Sequence, residues 1–166
     1  MIDFLFNPID SMSDVTLRPA TPEDDTFYFR VYASTRADEM ALVDWTDEQK
    51  EAFLQMQFRA KSQHYQAVYP QATYQVIEWD GIPFGRLVLN QTDQTTSLVD
   101  IALLPEFRNR GLGAALISTL QSENRKISLH VLKSNPAVNL YRRLGFAFKS
   151  EDALYFEMEW IPEVKV

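Results

Sequence analysis

The spacing of apolar residues predicts strands and helices along the chain. Continuous or alternating apolar runs are typical of strands, and apolar residues that recur every three or four positions are typical of helices. Strands are predicted at residues 15–17, 74–79, 82–89, 98–104, 127–131, 146–148 and 154–160. Helices are predicted at residues 21–36, 46–69, 111–124 and 135–145.

Turn and capping signals separate these elements. Thr46 and Gln49 form a capping box at the start of the second helix. Asp80 and Gly81 between two strand-like runs are a strong signal for a two-residue hairpin. Polar residues at 90–96 predict the turn before the next strand.

The order of the elements predicts the fold. The strand at 98–104, the helix after it and the strand at 127–131 require a right-handed crossover and parallel pairing. The hairpins elsewhere predict antiparallel pairing. We therefore expect an α/β fold of the α+β type, with a mixed, largely antiparallel central sheet, a parallel strand pair in the middle and about four helices. One domain over residues 1–166 is expected, with residues 1–13 as an N-terminal extension.

Composition limits the class of protein. The 166 residues fit one domain, and 46% hydrophobic with 13% aromatic residues is an ordinary globular composition. No apolar stretch approaches 18 residues, so we expect a cytoplasmic protein with no membrane partner. The absence of cysteine excludes a cysteine nucleophile and a thiolate zinc site. The two histidines, His64 and His130, are isolated, so no metal is expected.

Charge is distributed unevenly along the chain. The net charge is -7, but residues 101–150 hold eight basic residues against two acidic ones and leave -13 for the rest. A polyanionic ligand therefore has one natural half to bind, although such an imbalance is also compatible with plain solvated surface. An acidic protein is a poor candidate for nucleic-acid binding. Its acidic remainder can attract a cationic amine.

A candidate anion site lies between the strand at 98–104 and the helix after it. The first N–H groups of a helix have no partner inside the helix and carry the positive end of its dipole. Gly111 and Gly113 have no Cβ, so a phosphate can approach this backbone closely. Arg108 and Arg110 add positive charge, unless they are only surface residues.

The spacing of this glycine loop distinguishes it from two common phosphate loops. A P-loop needs a Gly-Lys pair, which the chain lacks. In a dinucleotide fingerprint, Leu116 would stand where a third small residue belongs. The remaining pattern, Arg108-x-x-Gly111-x-Gly113, resembles a signature of the GCN5-related N-acetyltransferase (GNAT) superfamily.

A second and longer motif strengthens the resemblance. The stretch Asn-Pro-Ala-Val-Asn-Leu-Tyr-Arg-Arg-Leu-Gly-Phe at 135–146 resembles the other GNAT signature. The stretches at 17–24 and 80–85 also resemble the family. The similarity thus spans about residues 14–160 and is strongest over 98–146.

The resemblance implies a fold in which the parallel strands splay apart and a binding site for acetyl-CoA as co-substrate. Ile101 and Leu103 would pair through their backbone with the pantetheine arm. Asn135 would face the pantetheine arm or the adenosine, and Tyr141 would lie near the thioester sulfur. The pyrophosphate would be held by the amides of Arg108, Asn109, Arg110, Gly111, Leu112, Gly113 and Ala114.

The chemistry implied is direct attack of an amine on the thioester. The N–H of Leu103 could stabilise the oxyanion. The leaving thiolate has a pKa of about 8.5 and a phenol one of about 10, so Tyr141 is the expected general acid. The alternative for Tyr141 is a buried aromatic with a satisfied hydroxyl. The alternative for Asn135 is a simple helix cap.

The general base is less well defined. An alkyl amine with a pKa of about 10 must lose a proton before it attacks. Asp100 on the central strand and Glu78 in the hairpin are candidates, acting through water. Either could instead bind the cation or a neighbouring strand.

The sequence therefore predicts an acetyl-CoA-dependent N-acetyltransferase acting on a small-molecule or peptide amine. Residues 22–90 are expected to form the acceptor pocket. The late strands could pair with a second copy, which would give a homodimer. The alternatives are a non-catalytic CoA-binding regulatory domain of the same fold and an acidic protein-interaction module.

Overall fold

The computed structural model describes residues 14–164. The N-terminal extension expected at residues 1–13 lies outside this range. Within residues 14–164, no helix combines the length and the apolar composition needed to cross a bilayer.

A seven-stranded sheet forms the centre of the molecule. Its order is β1-β2-β3-β4-β5-β7-β6, and only the β4–β5 pair is parallel. The predicted fold class and the parallel pair in the middle of the sheet are therefore confirmed. The strands are β1 (Val15–Pro19), β2 (Thr73–Trp79), β3 (Ile82–Gln91), β4 (Thr95–Leu103), β5 (Lys126–Leu132), β6 (Ala147–Glu151) and β7 (Tyr155–Trp160).

Five α-helices are present in the described chain, one more than expected. The additional helix is the short α2, which follows α1 after a break at Arg36. A helix of five residues is too short to show an apolar period. The helices are α1 (Asp25–Thr35), α2 (Ala37–Ala41), α3 (Asp47–Val68), α4 (Leu112–Ser122) and α5 (Ala137–Arg143).

The turn between β3 and β4 is shorter than predicted. The polar run at 90–96 suggested a turn throughout, but β3 continues through Gln91 and β4 begins at Thr95. Thr96 is 2% exposed, and its hydroxyl accepts a hydrogen bond from Gln91 Nε2 at 3.2 Å. Polar side chains that satisfy each other across two strands can therefore continue a sheet.

Helices cover the two faces of the sheet. Leu87 and Leu89 of β3 belong to the main core with α4 and α5. Arg86 and Val88, which alternate with these leucines along β3, lie on the opposite face because side chains alternate along a strand. That face is covered by α1 and α3, and Arg86 there donates to the carbonyl of Tyr28 in α1.

Candidate active site

A gap opens between the parallel strands β4 and β5. Their pairing runs only from Thr95 opposite Lys126 to Leu98 opposite Leu129. Beyond Leu98, β4 continues to Leu103 on β3, while β5 continues to Leu132 on β7. The splayed pair implied by the family resemblance is therefore present.

A β-bulge lies where the strands begin to separate. Val88 pairs with Asp100 and Leu89 pairs with Leu98, so Val99 is an extra residue in β4. A bulge bends its strand and increases the local twist. The second half of β4 thus follows β3 and leaves β5.

The backbone of β4 presents polar groups to this gap. The N–H of Leu104 donates to the carbonyl of Phe84 at 2.8 Å, so Leu104 faces β3. Hydrogen-bonded and non-bonded positions alternate in antiparallel pairs, so Ile101 and Leu103 direct their N–H and C=O groups into the gap. The carbonyl of Leu103 already accepts a bond from Arg108 Nε at 2.8 Å.

The glycine loop, residues 104–111, leads from this edge into α4. Asn109 and Gly111 both have positive φ, 59° and 77°, which turns the chain sharply into the helix. No side chain caps α4, and its first backbone bond runs from Ala115 N–H to Gly111 C=O at 3.0 Å. The N–H groups of Leu112, Gly113 and Ala114 therefore lie at the helix end without intrahelical partners, as an anion site requires.

The two glycines of the motif have different structural reasons. Gly111 needs its left-handed conformation, which side chains rarely adopt. A Cβ at Gly113 would lie 3.9 Å from Leu140 Cδ2, an ordinary contact. The fold alone therefore tolerates alanine at Gly113.

Arg108 has a structural role that the motif did not reveal. Besides the carbonyl of Leu103, its guanidinium donates through Nη2 to Ser34 Oγ at 3.0 Å. Arg108 therefore fastens the glycine loop to β4 and α1, and these two nitrogens do not point to a phosphate. Asn109 and Arg110 are exposed at the tip of the loop.

Tyr141 lies on the inner side of α5. It is 7% exposed, and its ring centroid is 5.6 Å from that of Phe146. Burial, with a smaller contribution from the charge of Asp100, raises the pKa of Tyr141 to about 12. The phenol is therefore protonated at neutral pH, and it lies within electrostatic range of Asp100 on β4.

Asn135 has the simpler of its two expected roles. Its side-chain oxygen accepts a hydrogen bond from the N–H of Ala137 at 2.9 Å and so caps α5. Its side chain is exposed rather than turned into the core.

Asp100 is held by two cations. Its Oδ2 lies 2.7 Å from Arg86 Nη2 and 3.7 Å from Lys61 Nζ. The geometry corresponds to the alternative in which Asp100 binds a neighbouring strand. Glu78, the other candidate base, is paired with Arg18 at 2.5 Å and lies on β2, two strands from β4.

A pocket that the sequence did not locate lies on the α1 and α3 side of β4, and all of its lining residues except Asp100 fall within residues 22–90, where the acceptor pocket was expected. It contains Asp100 and its two cations. We call it the tyrosine pocket. It is lined by Tyr28, Phe58, Lys61, Ser62, Tyr65, Tyr74, Arg86, Val88 and Asp100.

Two sequence signals could have located the tyrosine pocket. Arg86 interrupts an otherwise apolar strand, and buried arginines are rare unless they are paired. Lys61 stands between Phe58 and Tyr65 on the apolar face of α3. Burial lowers the pKa of Lys61, and the charge of Asp100 opposes this effect.

Within residues 14–164, no group of three metal-binding side chains is present.

Comparisons with known proteins give a family and a fold. Residues 35–146 match the model of the acetyltransferase (GNAT) family. No curated protein matches the chain. The structure of PaiA N-acetyltransferase from Thermoplasma acidophilum in complex with coenzyme A aligns with a TM-score of 0.65 at 18% identity, covering 90% of this chain and 99% of its own. An acetyltransferase from Thermus thermophilus aligns with a TM-score of 0.62 at 18% identity, covering 88% and 96%.

Proposed function

Because the chain belongs to the acetyltransferase (GNAT) family, we propose that it transfers an acetyl group from acetyl-CoA to the primary amine of a small molecule or peptide. The observation that carries the proposal is the gap between β4 and β5 beside the uncapped start of α4. The family assignment supports acetyl transfer in general, and the amine acceptor is our inference.

The cofactor would bind mainly through the backbone. Its pyrophosphate would lie against the N–H groups of residues 109–114, where the α4 dipole favours negative charge, since the N–H of Arg108 donates to the carbonyl of Pro105 at 3.2 Å. The pantetheine arm would extend along β4 beyond the end of its pairing with β5. There it would form hydrogen bonds with the backbone of Ile101 and the N–H of Leu103. The PaiA structure holds coenzyme A, which is consistent with a CoA site in this fold.

The chemistry would occur at the mouth of the gap. The amine nitrogen attacks the thioester carbon, and the oxyanion accepts a hydrogen bond from the N–H of Leu103. The carbon–sulfur bond then breaks, and Tyr141 donates its proton to the leaving thiolate. A phenol with a pKa of about 12 releases its proton less readily than an ordinary tyrosine, so we expect the proton to move late, as charge builds on the sulfur. The phenolate recovers a proton from solvent, and the nitrogen, which is positively charged after the attack, releases a proton to water as the neutral amide forms.

The protonated amine must lose a proton before it attacks, and neither candidate base is free to take it. Asp100 Oδ2 is held by Arg86 and Lys61, so we propose that the amine loses its proton to water. Asp100 would then position the two cations and would not act as the base.

Two measurements on the full chain test this function. Isothermal calorimetry should show acetyl-CoA binding, and a thiol-reactive dye should report CoA release when an amine library is added. No binding at about 1 mM cofactor would refute the cofactor site, because even a Kd of about 1 mM corresponds to a binding free energy of only about -4 kcal/mol. Binding without acetylation of any amine would instead indicate a non-catalytic CoA-binding domain.

A further inference from the structure

The tyrosine pocket contains an unbalanced group of buried charges. Arg86 of β3 is 3% exposed, forms an ion pair with Asp100 Oδ2 at 2.7 Å and donates to the carbonyl of Tyr28 at 3.3 Å. Lys61 of α3 lies 3.7 Å from the same carboxylate oxygen. Two cations and one carboxylate leave one positive charge at this site.

Two donors in the tyrosine pocket are buried without a partner. They are Nε of Arg86 and the hydroxyl of Tyr74. A buried polar group without a hydrogen bond costs roughly 1–3 kcal/mol, so folded proteins rarely keep one without a reason. Tyr28, by contrast, donates to the carbonyl of Gln75 at 2.7 Å and is satisfied by the fold.

The ammonium of Lys61 lies between two aromatic rings and the carboxylate of Asp100. Its Nζ lies 5.5 Å from the ring centroids of both Tyr32 and Tyr65. The distance of 3.7 Å to Asp100 exceeds a normal hydrogen bond. A further cation that acts on Lys61, Arg36, is itself paired with Glu39 at 2.7 Å. A second anion near Lys61 would therefore stabilise its charged form.

The tyrosine pocket lies next to the site of the proposed reaction. Asp100 is the residue directly after the bulge at Val99, where β4 leaves β5. Its charge contributes to the raised pKa of Tyr141, so the pocket and the general acid are within electrostatic range. A substrate group seated here would be close to the amine that attacks in the gap.

We infer that the tyrosine pocket binds a carboxylate of the acceptor, so that the substrate of the proposed acetyl transfer is an amine that also carries a carboxylate, such as an amino acid. The role of the carboxylate as part of a substrate rests on the proposed function, whereas the binding of a carboxylate in the tyrosine pocket does not. Lys61, Arg86 Nε and the Tyr74 hydroxyl would donate to the carboxylate. A carboxylate has the single negative charge that balances the site, whereas a phosphate monoester would bring more.

Paired substrates give the first test. We expect the kcat/KM of an amino acid to exceed that of the amine made by its decarboxylation at least tenfold, because charge-assisted hydrogen bonds to the carboxylate are lost. The comparison is made over the common amino acids and their decarboxylated counterparts. Equal values for every acetylated pair would refute the inference while leaving the acetyltransferase function intact.

Variants of Lys61 and Tyr74 give the second test. Lys61→Met should bring the ratio of the two kcat/KM values close to one, and Lys61→Arg should restore part of it. Tyr74→Phe should raise the KM of the amino acid severalfold without lowering the thermal stability, because the hydroxyl has no partner in the fold. Lys50→Met, on the same helix, is the matched control and should leave the ratio unchanged. A Lys61→Met variant with the wild-type ratio would contradict the assignment.

A binding measurement separates this inference from the proposed function. Calorimetry with 3-phenylpropionate, which has a carboxylate and no amine, should show binding that is lost in Lys61→Met. Its uncharged amide should not bind. Lys61-dependent binding without any acetylation would sustain the carboxylate site and refute the enzyme, whereas acetylation without such binding would do the reverse.

Discussion

The proposed cofactor side and the proposed acceptor side of the gap are built from different kinds of group. On the proposed cofactor side, the groups offered are backbone groups of β4 and the first turn of α4, and Gly111 supplies the conformation. On the proposed acceptor side, side chains of three distant elements meet, namely Lys61, Arg86 and Asp100. Backbone contacts need a particular chain geometry and therefore leave a contiguous motif, whereas side-chain contacts across elements leave none.

The largest expected effect comes from removing the hydroxyl of the proposed general acid. Tyr141→Phe should lower kcat by about 100-fold, in the range of a lost general acid, while the Kd of acetyl-CoA changes little. The ring remains in the core against Phe146, so the fold should persist. Stopped-flow or steady-state CoA release measures the rate. The control is Tyr155→Phe, at an exposed position of β7. An unchanged rate would assign the proton transfer to solvent.

A smaller effect should separate cofactor binding from helix stability. Ala114→Asp places a negative charge in the first turn of α4, where it would repel the pyrophosphate and weaken acetyl-CoA binding about tenfold. The same charge interacts favourably with the helix dipole, so the thermal stability should not fall.

Ser118→Asp, one turn further along α4 and exposed, is the matched control and should bind acetyl-CoA normally. Calorimetry and thermal unfolding on both variants check the prediction. Equal affinities for Ala114→Asp and the wild type would remove the pyrophosphate from this helix end.

A region outside both sides should affect stability alone. Asp24 is 9% exposed and accepts bonds from Arg18 at 2.7 and 2.8 Å. Arg18 and the N–H of Thr21 hold the pKa of Asp24 well below its usual range. Asp24→Asn should lower the free energy of unfolding by about 1 kcal/mol, since Arg18 is partly exposed, with no change in acetyl-CoA affinity.

The pH dependence of this contribution has a definite sign. The pKa of Asp24 is lower in the folded chain, so its stabilisation is complete above about pH 4, the ordinary aspartate range, and is lost as the pH falls. Urea unfolding of the wild type and Asp24→Asn should therefore converge in acid. A difference that does not shrink between about pH 4 and about pH 2 would contradict the ion-pair explanation.

The smallest effect is an expected absence of change in alkali. Tyr141 must be protonated to act, and burial raises its pKa to about 12, so its contribution would be lost only as the pH rises towards that value. The kcat/KM should rise with amine deprotonation up to about pH 10 and show no descending limb there. Circular dichroism controls for unfolding. A fall centred on about pH 10 in a folded protein would indicate an ordinary phenol.

The sequence predicted the parts of the fold that depend on local patterns. The apolar run at 98–104 and the glycines after it predicted a strand entering a helix, and both are present. The polar run at 90–96 was misinterpreted as a turn because Gln91 and Thr96 satisfy each other only when the strands are paired.

Long-range contacts could not be predicted in the same way. A phosphate contact was expected of Arg108 from its motif, and nothing in that motif indicates that its guanidinium also donates to Ser34, 74 positions earlier. Asp100 was a candidate base because it lies on the central strand. Nothing near it in the chain indicates that it is paired with Arg86 and Lys61. The pairing of a side chain depends on how distant elements pack, and a single sequence does not state that packing.

The extra residue at Val99 has an evolutionary consequence. Strands alternate their side chains between two faces, so deleting this residue would move either Leu98 or Asp100 to the wrong side of the sheet. It would also let β4 resume its pairing with β5. A change of chain length here would damage folding and ligand entry together, so drift in this protein should be confined to exchanging the Val99 side chain while the residue count between Leu98 and Asp100 stays fixed.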